Sequence, residues 1–144
     1  MDNKKKKILD FIKSQKLCVL STISRNGLPE AAVVGVSEMD DLSLIFGTFK
    51  QYRKYANLKQ NPHIAFVIGW DDISVQYEGT AQELTGEEKE KAKQIHICKL
   101  PSSQKFAELP EQCYFRVSPI WIRYVDYSRD SIYGEIFEIN FNSK

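Results

Sequence analysis

The chain has 144 residues, of which 42% are hydrophobic, and a formal net charge of +1. This length is typical of one domain with a single core, and the near-neutral charge excludes a general attraction to nucleic acid or to an anionic membrane. Cys18, Cys98 and Cys113 are widely spaced with no CxxC pair, which argues against a disulfide framework or a zinc site. We therefore expect a single domain over residues 1–144, with no metal and with partners set by local sites.

The first predicted element is an amphipathic helix over residues 3–15. Ile8, Phe11 and Ile12 recur at helical spacing with lysines opposite, so the helix is expected to cover one face of a sheet. The basic run Lys4 to Lys7 is not followed by the unbroken apolar region of a secretory signal, and no later stretch reaches membrane-spanning length. The sequence predicts a cytoplasmic protein with no membrane partner.

The next residues predict three strands in succession. Leu17 to Ile23 and Ala31 to Val36 are strand-like and are joined by the turn signal Arg25-Asn26-Gly27, which indicates a hairpin. Met39-Asp40-Asp41 marks another turn before the apolar run Leu42 to Phe46. We expect a three-stranded meander.

A second helix is predicted directly after this meander. The apolar run ends at Gly47-Thr48, Tyr52, Tyr55 and Leu58 then recur at helical spacing, and Asn61-Pro62 ends the pattern. A hydroxyl and two cations therefore converge where a strand leads into a helix.

This convergence suits a phosphate group. Thr48 can donate its hydroxyl, Arg53 can bind two oxygens with its planar guanidinium, and Lys54 adds a point charge. The free N–H groups of the first helical turn favour an anion as well. The alternative is that Lys50, Arg53, Lys54 and Lys59 form only the solvated face of an amphipathic helix.

The remaining elements complete a mostly antiparallel pattern. A second hairpin is expected from Ile64–Trp70 and Ile73–Leu84 around Asp71-Asp72. Thr85 to Glu88 has the spacing of a capping box, which predicts a helix from Glu87 to about Lys99 that Pro101 stops.

The last predicted strands follow this helix. Cys113–Val117 and Ile120–Tyr124 alternate as two strands broken at Pro119, and Ile136–Phe141 reads as an edge strand. Six or more antiparallel strands with helices between them indicate one α+β domain built on a closed or partly closed barrel.

Four short motifs, in this order, resemble the pyridoxamine 5′-phosphate oxidase family of proteins that bind flavin mononucleotide (FMN). The motifs are Gly27-x-Pro29, Thr48 through Arg53-Lys54 to Asn61-Pro62, Glu78-Gly79-Thr80-Ala81, and Phe115-Arg116-Val117. The resemblance covers roughly residues 10 to 126. It implies an antiparallel split β-barrel with flanking helices that binds FMN at the interface of a homodimer.

The resemblance also implies positions for the cofactor. The strand whose backbone lies along the flavin ring would be Ala32, Val33, Val34, Gly35 and Val36, and the ribityl phosphate would be held by Gly47, Thr48, Arg53 and Lys54. Gln76 or Ser74 would make the family's polar contact from the central strand. Trp121 and Tyr124 either stack on the ring or line the substrate pocket, or are ordinary aromatics of the barrel and the dimer interface.

Departures from the family pattern bear on the activity. Members that oxidise pyridoxamine phosphate have Arg at the position of Ala32 and Lys at that of Ser37, and an Arg-x-His element after the final barrel strand. Here Asp126 to Ile132 contains Arg129 and no histidine. The closer match is a general-stress-type or flavin-reductase-like member, and vitamin B6 oxidation is not expected.

The implied function is an FMN-dependent oxidoreductase that passes electrons between a reduced nicotinamide or similar donor and a small-molecule acceptor. The flavin carries this chemistry, so no catalytic side chain is required, and none of the usual nucleophile, P-loop or Rossmann motifs is present.

Several alternatives stay open. One is a flavin-binding stress or sensor protein without turnover, and another is a split barrel that binds haem or a deazaflavin. His63 and His96 are the only histidines that could bind haem iron, although surface or packing roles are more typical. Binding of single-stranded nucleic acid is disfavoured because no basic stripe is present.

Overall fold

A computed structural model describes residues 1–128 and 132–141, and its helices and strands follow the predicted order. The helices are α1 (Asn3–Lys13), α2 (Arg53–Gln60), α3 (Gly86–Lys99) and a 3₁₀ helix (Pro101–Phe106). The strands are β1 (Leu17–Ile23), β2 (Pro29–Gly35), β3 (Ser37–Glu38), β4 (Leu44–Phe49), β5 (His63–Ile68), β6 (Ile73–Glu83), β7 (Gln112–Asp126) and β8 (Glu135–Asn140).

The described strands form one curled antiparallel sheet in the order β2-β1-β5-β6-β7-β4-β3, with β8 also paired to β7. The fold is therefore the expected α+β half-barrel, and both predicted hairpins, β1–β2 and β5–β6, are confirmed. The three-stranded meander is wrong, because β4 pairs with β3 and β7 instead of β2. The apolar pattern locates the strand, and the predicted turn at Met39-Asp40-Asp41 joins it to β3, but its other edge is taken by β7, which local sequence does not specify.

Pro119 does not break the chain into two strands. Residues 112–126 form one continuous strand, and its register against β6 shifts between Glu78 and Gly79, where Gly79 faces Pro119. Proline is tolerated within a sheet at such an irregularity because the ladder hydrogen bond is already interrupted there. The long strand thus bends around the core instead of ending.

The helix predicted from the capping box is present, but the box itself is not formed. α3 begins at Gly86, and the side chain of Thr85 makes no capping hydrogen bond. Gly86 has a φ of +59°, so the chain enters the helix through a turn that local spacing does not predict. The buried face of α3, which includes Ala92, Lys93 and His96, holds it against the sheet.

The core lies between the concave face of the sheet and α1. Ile8, Leu9 and Ile12 of α1 are buried there, which confirms the predicted covering helix. Opposite them Phe46 stacks on Phe115 with ring centroids 5.4 Å apart. No helix in the described part of the chain is long and apolar enough to span a membrane.

The N-terminal lysines are used in packing. Lys7 pairs with Glu135 at 2.8 Å, and the ammonium groups of Lys4 and Lys5 lie over the rings of Phe137 and Phe141. These contacts attach α1 to β8 and its end. The basic run is therefore part of the folded domain.

A buried tyrosine supports a strained turn before β4. Leu42 is fully buried with a φ of +70°, which is uncommon for a residue with a side chain. The Tyr77 hydroxyl donates to the Leu42 carbonyl at 2.7 Å and lies 3.2 Å from that of Val117. This hydroxyl links the turn to the far side of the core.

We expect Tyr77→Phe to lower the free energy of unfolding by about 1–3 kcal/mol, because it leaves a buried carbonyl without its donor. Urea denaturation measures this loss. Tyr52→Phe is the control, since that ring is 49% exposed and the change should stay within about 0.5 kcal/mol. Equal stabilities of the two variants would contradict a supporting role for Tyr77.

Candidate functional site

The first cavity lies between β2 and the beginning of α2, and we call it the β2–α2 cavity. Its volume is about 320 Å³. β2 ends the sheet, so one of its edges has no strand partner among the described residues. The lining residues are Leu20, Thr22, Glu30, Ala31, Ala32, Gln51, Tyr52, Arg53 and Lys54.

Two of the predicted phosphate ligands meet in this cavity. Lys54 is partly buried, and desolvation lowers the pKa of its ammonium group. Its Nζ lies 4.9 Å from the centroid of the Tyr52 ring, and no carboxylate within residues 1–128 or 132–141 pairs with it. A desolvated cation without a counter-ion favours binding of an anion.

Arg53 differs from Lys54 because it already has a counter-ion. Its Nη1 lies 3.1 Å from Oε2 of Glu30, while 76% of its side chain is exposed. Asn57 Nδ2 donates to the other Glu30 oxygen at 2.8 Å and to Thr22 Oγ1 at 3.0 Å. The cavity therefore contains two cations and one carboxylate that is held in place by hydrogen bonds.

Glu30, Asn57 and Thr22 are site residues that the sequence analysis missed. A signal was present, since Glu30 lies two residues before Ala32 on the same strand face, and Asn57 follows Arg53 by four residues on the same helix face. What the sequence does not specify is that β2 and α2 face each other.

Thr48 is not brought into the β2–α2 cavity. Its side chain is buried on the core side of β4, the face that also carries Phe46, and its Oγ1 lies 3.5 Å from the Phe49 carbonyl. Ala32 lines the cavity, whereas Val34 packs against the core. The structure thus groups Ala32, Arg53 and Lys54 and separates them from Thr48.

A second cavity of about 500 Å³ lies under α3 and the 3₁₀ helix, and we call it the α3 cavity. It brings together Gly35, which was expected along the flavin ring, and Gly47, which was expected at the phosphate but does not line the β2–α2 cavity with Arg53 and Lys54. A Cβ atom at Gly47 would lie 2.3 Å from the side-chain amide nitrogen of Gln112, so a larger residue there would displace that side chain. The other lining residues are Lys16, Leu17, His96, Leu100, Ser102, Ser103, Lys105, Phe106 and Tyr114.

His96 forms part of the wall of the α3 cavity. Its Nδ1 lies 2.8 Å from Oγ of Ser37. Burial, together with the nearby charge of Lys99, lowers the pKa of His96 to about 4. The imidazole is therefore neutral at pH 7 and contributes hydrogen bonding without charge.

The lowered pKa of His96 predicts a loss of stability in acid. Between its ordinary pKa of 6.5 and about 4, the unfolded chain binds a proton at this position that the folded chain does not. The free energy of unfolding should therefore fall as the pH falls through this window, by at most about 3 kcal/mol.

Urea denaturation at several pH values measures this dependence. His96→Gln should remove the slope between pH 6.5 and 4, whereas His63→Gln, which replaces the exposed histidine, should retain it. A slope that persists in His96→Gln would assign the acid sensitivity to other groups.

Three further predicted positions lie on the outer, convex face of the sheet. Val33 is 62% exposed. Val19, Val67 and Gln76 are its successive cross-strand neighbours on β1, β5 and β6, so they share this face. Trp121 lies on the same face opposite Glu78, and its Nε1 donates to Glu138 Oε1 at 2.9 Å. Neither Gln76 nor Trp121 lines either cavity.

The remaining candidates have different surroundings. Ser74 shares the outer face with Gln76. Tyr124 is buried and stacks on Phe137 with centroids 4.9 Å apart, as expected of a barrel aromatic. His63 is exposed, and Arg129 lies outside the described residues. Within those residues, no group of three or more His, Cys, Asp or Glu side chains could hold a metal ion.

The curled antiparallel sheet, the outer helices and the cavities beside its free edge define a split-barrel protein. The sequence profile described as pyridoxamine 5′-phosphate oxidase matches residues 5–126. The chain belongs to this family.

Individual relatives agree with this assignment over part of their length. The pyridoxine/pyridoxamine 5′-phosphate oxidase of Salinibacter ruber is 38% identical over 71 residues, which are 48% of this chain and 33% of that protein. The chain thus spans about a third of the length of this curated relative.

Solved structures show the same fold. General Stress Protein 26 from Bacillus anthracis has a TM-score of 0.74 at 24% identity, with 96% of this chain and all of that chain covered. A haem binding protein from Mycobacterium smegmatis has a TM-score of 0.82 at 15% identity, with coverage of 97% and 59%. At these identities, the likeness concerns the fold.

Proposed function

We propose that the protein binds FMN and passes electrons from a reduced nicotinamide or similar donor to a small acceptor. The observation that carries this proposal is the β2–α2 cavity, where Lys54 has no carboxylate partner among the described residues and Arg53 lies beside it. The family supports the same assignment.

The β2–α2 cavity meets β2 on its core side and the α3 cavity meets it on its outer side, so an elongated cofactor would pass around the edge of β2 to occupy both. Ala32 lines one and Gly35 the other, and three residues of a strand span about 10 Å. We place the phosphate at Arg53 and Lys54 and the flavin ring toward Gly35 and Gly47. The free backbone edge of β2 can hydrogen-bond the ring between them.

The bound flavin would supply the electron-transfer chemistry. The chain's own residues bind and orient it, and the part of the α3 cavity that the ring leaves open would admit the second substrate. Lys16 and Lys105 give this cavity positive charge, and Leu100 and Phe106 give it apolar walls. Neutral His96 can hydrogen-bond there without attracting a counter-ion.

We further propose that the protein is a homodimer that forms through the convex face. Leu17, Val33 and Val67 are 50%, 62% and 39% exposed on this face and form an apolar stripe with Val19. Such a stripe is typical of an interaction surface. It also carries Gln76 and Trp121, so a second copy could bring these residues to a cofactor site.

Haem is the second candidate ligand. The haem binding protein from Mycobacterium smegmatis shares the fold across 97% of this chain, and His63 offers an exposed imidazole beside the apolar residues Ile23 and Ile120. Haem binding would use the convex face and leave Lys54 without a ligand.

The first test is the visible spectrum of the freshly purified protein and of its heat-released ligand, since flavin, deazaflavin and haem have distinct bands. A flavin spectrum, or quenching of added FMN fluorescence, supports the proposal, and reduction by a nicotinamide donor tests turnover. Bound flavin that no donor reduces would favour a stress or sensor role. Failure to bind FMN would refute the proposal.

A further inference from the structure

Glu30 places a carboxylate inside a cavity that is otherwise built for an anion. We propose that Glu30 is a specificity-determining residue, which makes the β2–α2 cavity select phosphate esters with a neighbouring hydroxyl group over inorganic phosphate. This inference rests on the proposed function and names what the same site requires of its ligand.

Glu30 is fixed by contacts to both of its oxygens. Oε2 lies 3.1 Å from Arg53 Nη1, and Oε1 accepts from Asn57 Nδ2 at 2.8 Å. Its side chain is 22% exposed, and Asn57 itself is buried and also bound to Thr22. Because the buried amide holds it, the carboxylate should stay at the wall of the cavity when a ligand enters.

The chemistry of the carboxylate restricts what can lie beside it. An ionised carboxylate and an ionised phosphate oxygen are both acceptors without a proton, so they repel each other and cannot form a hydrogen bond. A hydroxyl group can donate to the carboxylate and remove this conflict. Inorganic phosphate at neutral pH can donate only from a P–OH of the charged group itself, which keeps its anionic oxygens close to the carboxylate. A polyol phosphate donates from a hydroxyl on the adjacent carbon, which leaves its anionic oxygens farther from Glu30.

Lys54 and Arg53 therefore offer a ligand two different environments within the cavity. Lys54 has no carboxylate partner within residues 1–128 and 132–141 and can take the full charge of a phosphate, while Arg53 shares its guanidinium with Glu30. A ligand that fits both halves carries a dianionic group for Lys54 and a hydroxyl for Glu30. The ribityl phosphate of FMN has this combination.

Glu30→Gln tests the inference, because glutamine keeps the shape and an acceptor for Asn57 but removes the charge. The affinity for inorganic phosphate is measured by calorimetric titration without flavin, and the affinity for FMN by fluorescence quenching. We expect Glu30→Gln to tighten phosphate binding by about tenfold, with a smaller gain or a loss for FMN. The preference for FMN over phosphate should therefore fall.

Glu83→Gln is the matched control. Glu83 accepts from Lys59 at 3.1 Å and from Tyr55 at 2.9 Å and does not line the cavity, so its loss should leave the preference unchanged. Glu30→Ala is a second variant with the same expected direction, and thermal unfolding shows whether each variant is folded.

The outcomes separate this inference from the proposed function. If the wild type binds FMN and Glu30→Gln shows the same preference over phosphate, the inference is overturned and the function stands. If the wild type binds no FMN but phosphate binding still tightens in Glu30→Gln, the function fails and the effect of Glu30 on anions stands. Weaker phosphate binding in both Glu30 variants would also overturn the inference.

Discussion

Lys54→Met is expected to weaken FMN binding by roughly ten- to a hundredfold, because a charge-assisted contact to phosphate contributes about 1.5–3 kcal/mol. Arg53→Met is expected to have the smaller effect. The reason lies in their partners: Arg53 is already paired with Glu30, whereas Lys54 has no carboxylate partner in the described chain. The double variant should lose measurable binding.

Fluorescence titration of FMN with each purified variant measures these affinities. Lys59→Met is the control, since it lies on the same helix and pairs with Glu83 outside the cavity. Equal affinities of wild type and Lys54→Met would show that the phosphate binds elsewhere. A larger loss in Arg53→Met than in Lys54→Met would mean that the Glu30 contact is given up on binding.

These two cations show how far the sequence defined the site. Their spacing from Gly47-Thr48 and Asn61-Pro62 located both residues, and α2 begins at Arg53. Thr48 was expected to join these cations, but alternation along β4 puts its side chain on the core face with Phe46. Local spacing indicates which residues lie at the end of the strand. The alternation of side chains along the strand then decides which face of the sheet each one is on.

Long-range pairing explains what could not be predicted. The bounds of β1, Leu17–Ile23, agree with the prediction because alternation and the turn at Gly27 are local signals. One of the two partners of β4 is β7, which lies more than sixty residues later in the sequence. Contact between Glu30 and Arg53 likewise depends on β2 meeting α2, which no local pattern encodes.

The continuity of β7 is the clearest case of tertiary structure overriding a local signal. Pro119 correctly indicated an irregularity, but the irregularity is absorbed by a register shift at Glu78/Gly79 on the neighbouring strand. A proline thus marks where a ladder is interrupted and does not by itself end a strand. Gly79 is the residue that allows this close approach.

Gly79→Ala should accordingly be among the most destabilising single changes, lowering the free energy of unfolding by about 3 kcal/mol. A Cβ atom there would lie 2.5 Å from the Ser118 carbonyl oxygen and 2.7 Å from Cγ1 of Val117. The Ser118 carbonyl belongs to the backbone of the paired strand, so the clash can be removed only if β6 and β7 separate at the bend.

Gly35→Ala is the matched control, because its Cβ would meet the end of the flexible Leu100 side chain at 2.9 Å. Both changes reduce the entropy of the unfolded chain similarly. The difference between the two losses in free energy of unfolding therefore reports the steric clash at Gly79. Urea denaturation should show a loss below about 1.5 kcal/mol for Gly35→Ala. Similar losses in the two variants would mean that β7 can straighten at Pro119, and the bend would then not depend on Gly79.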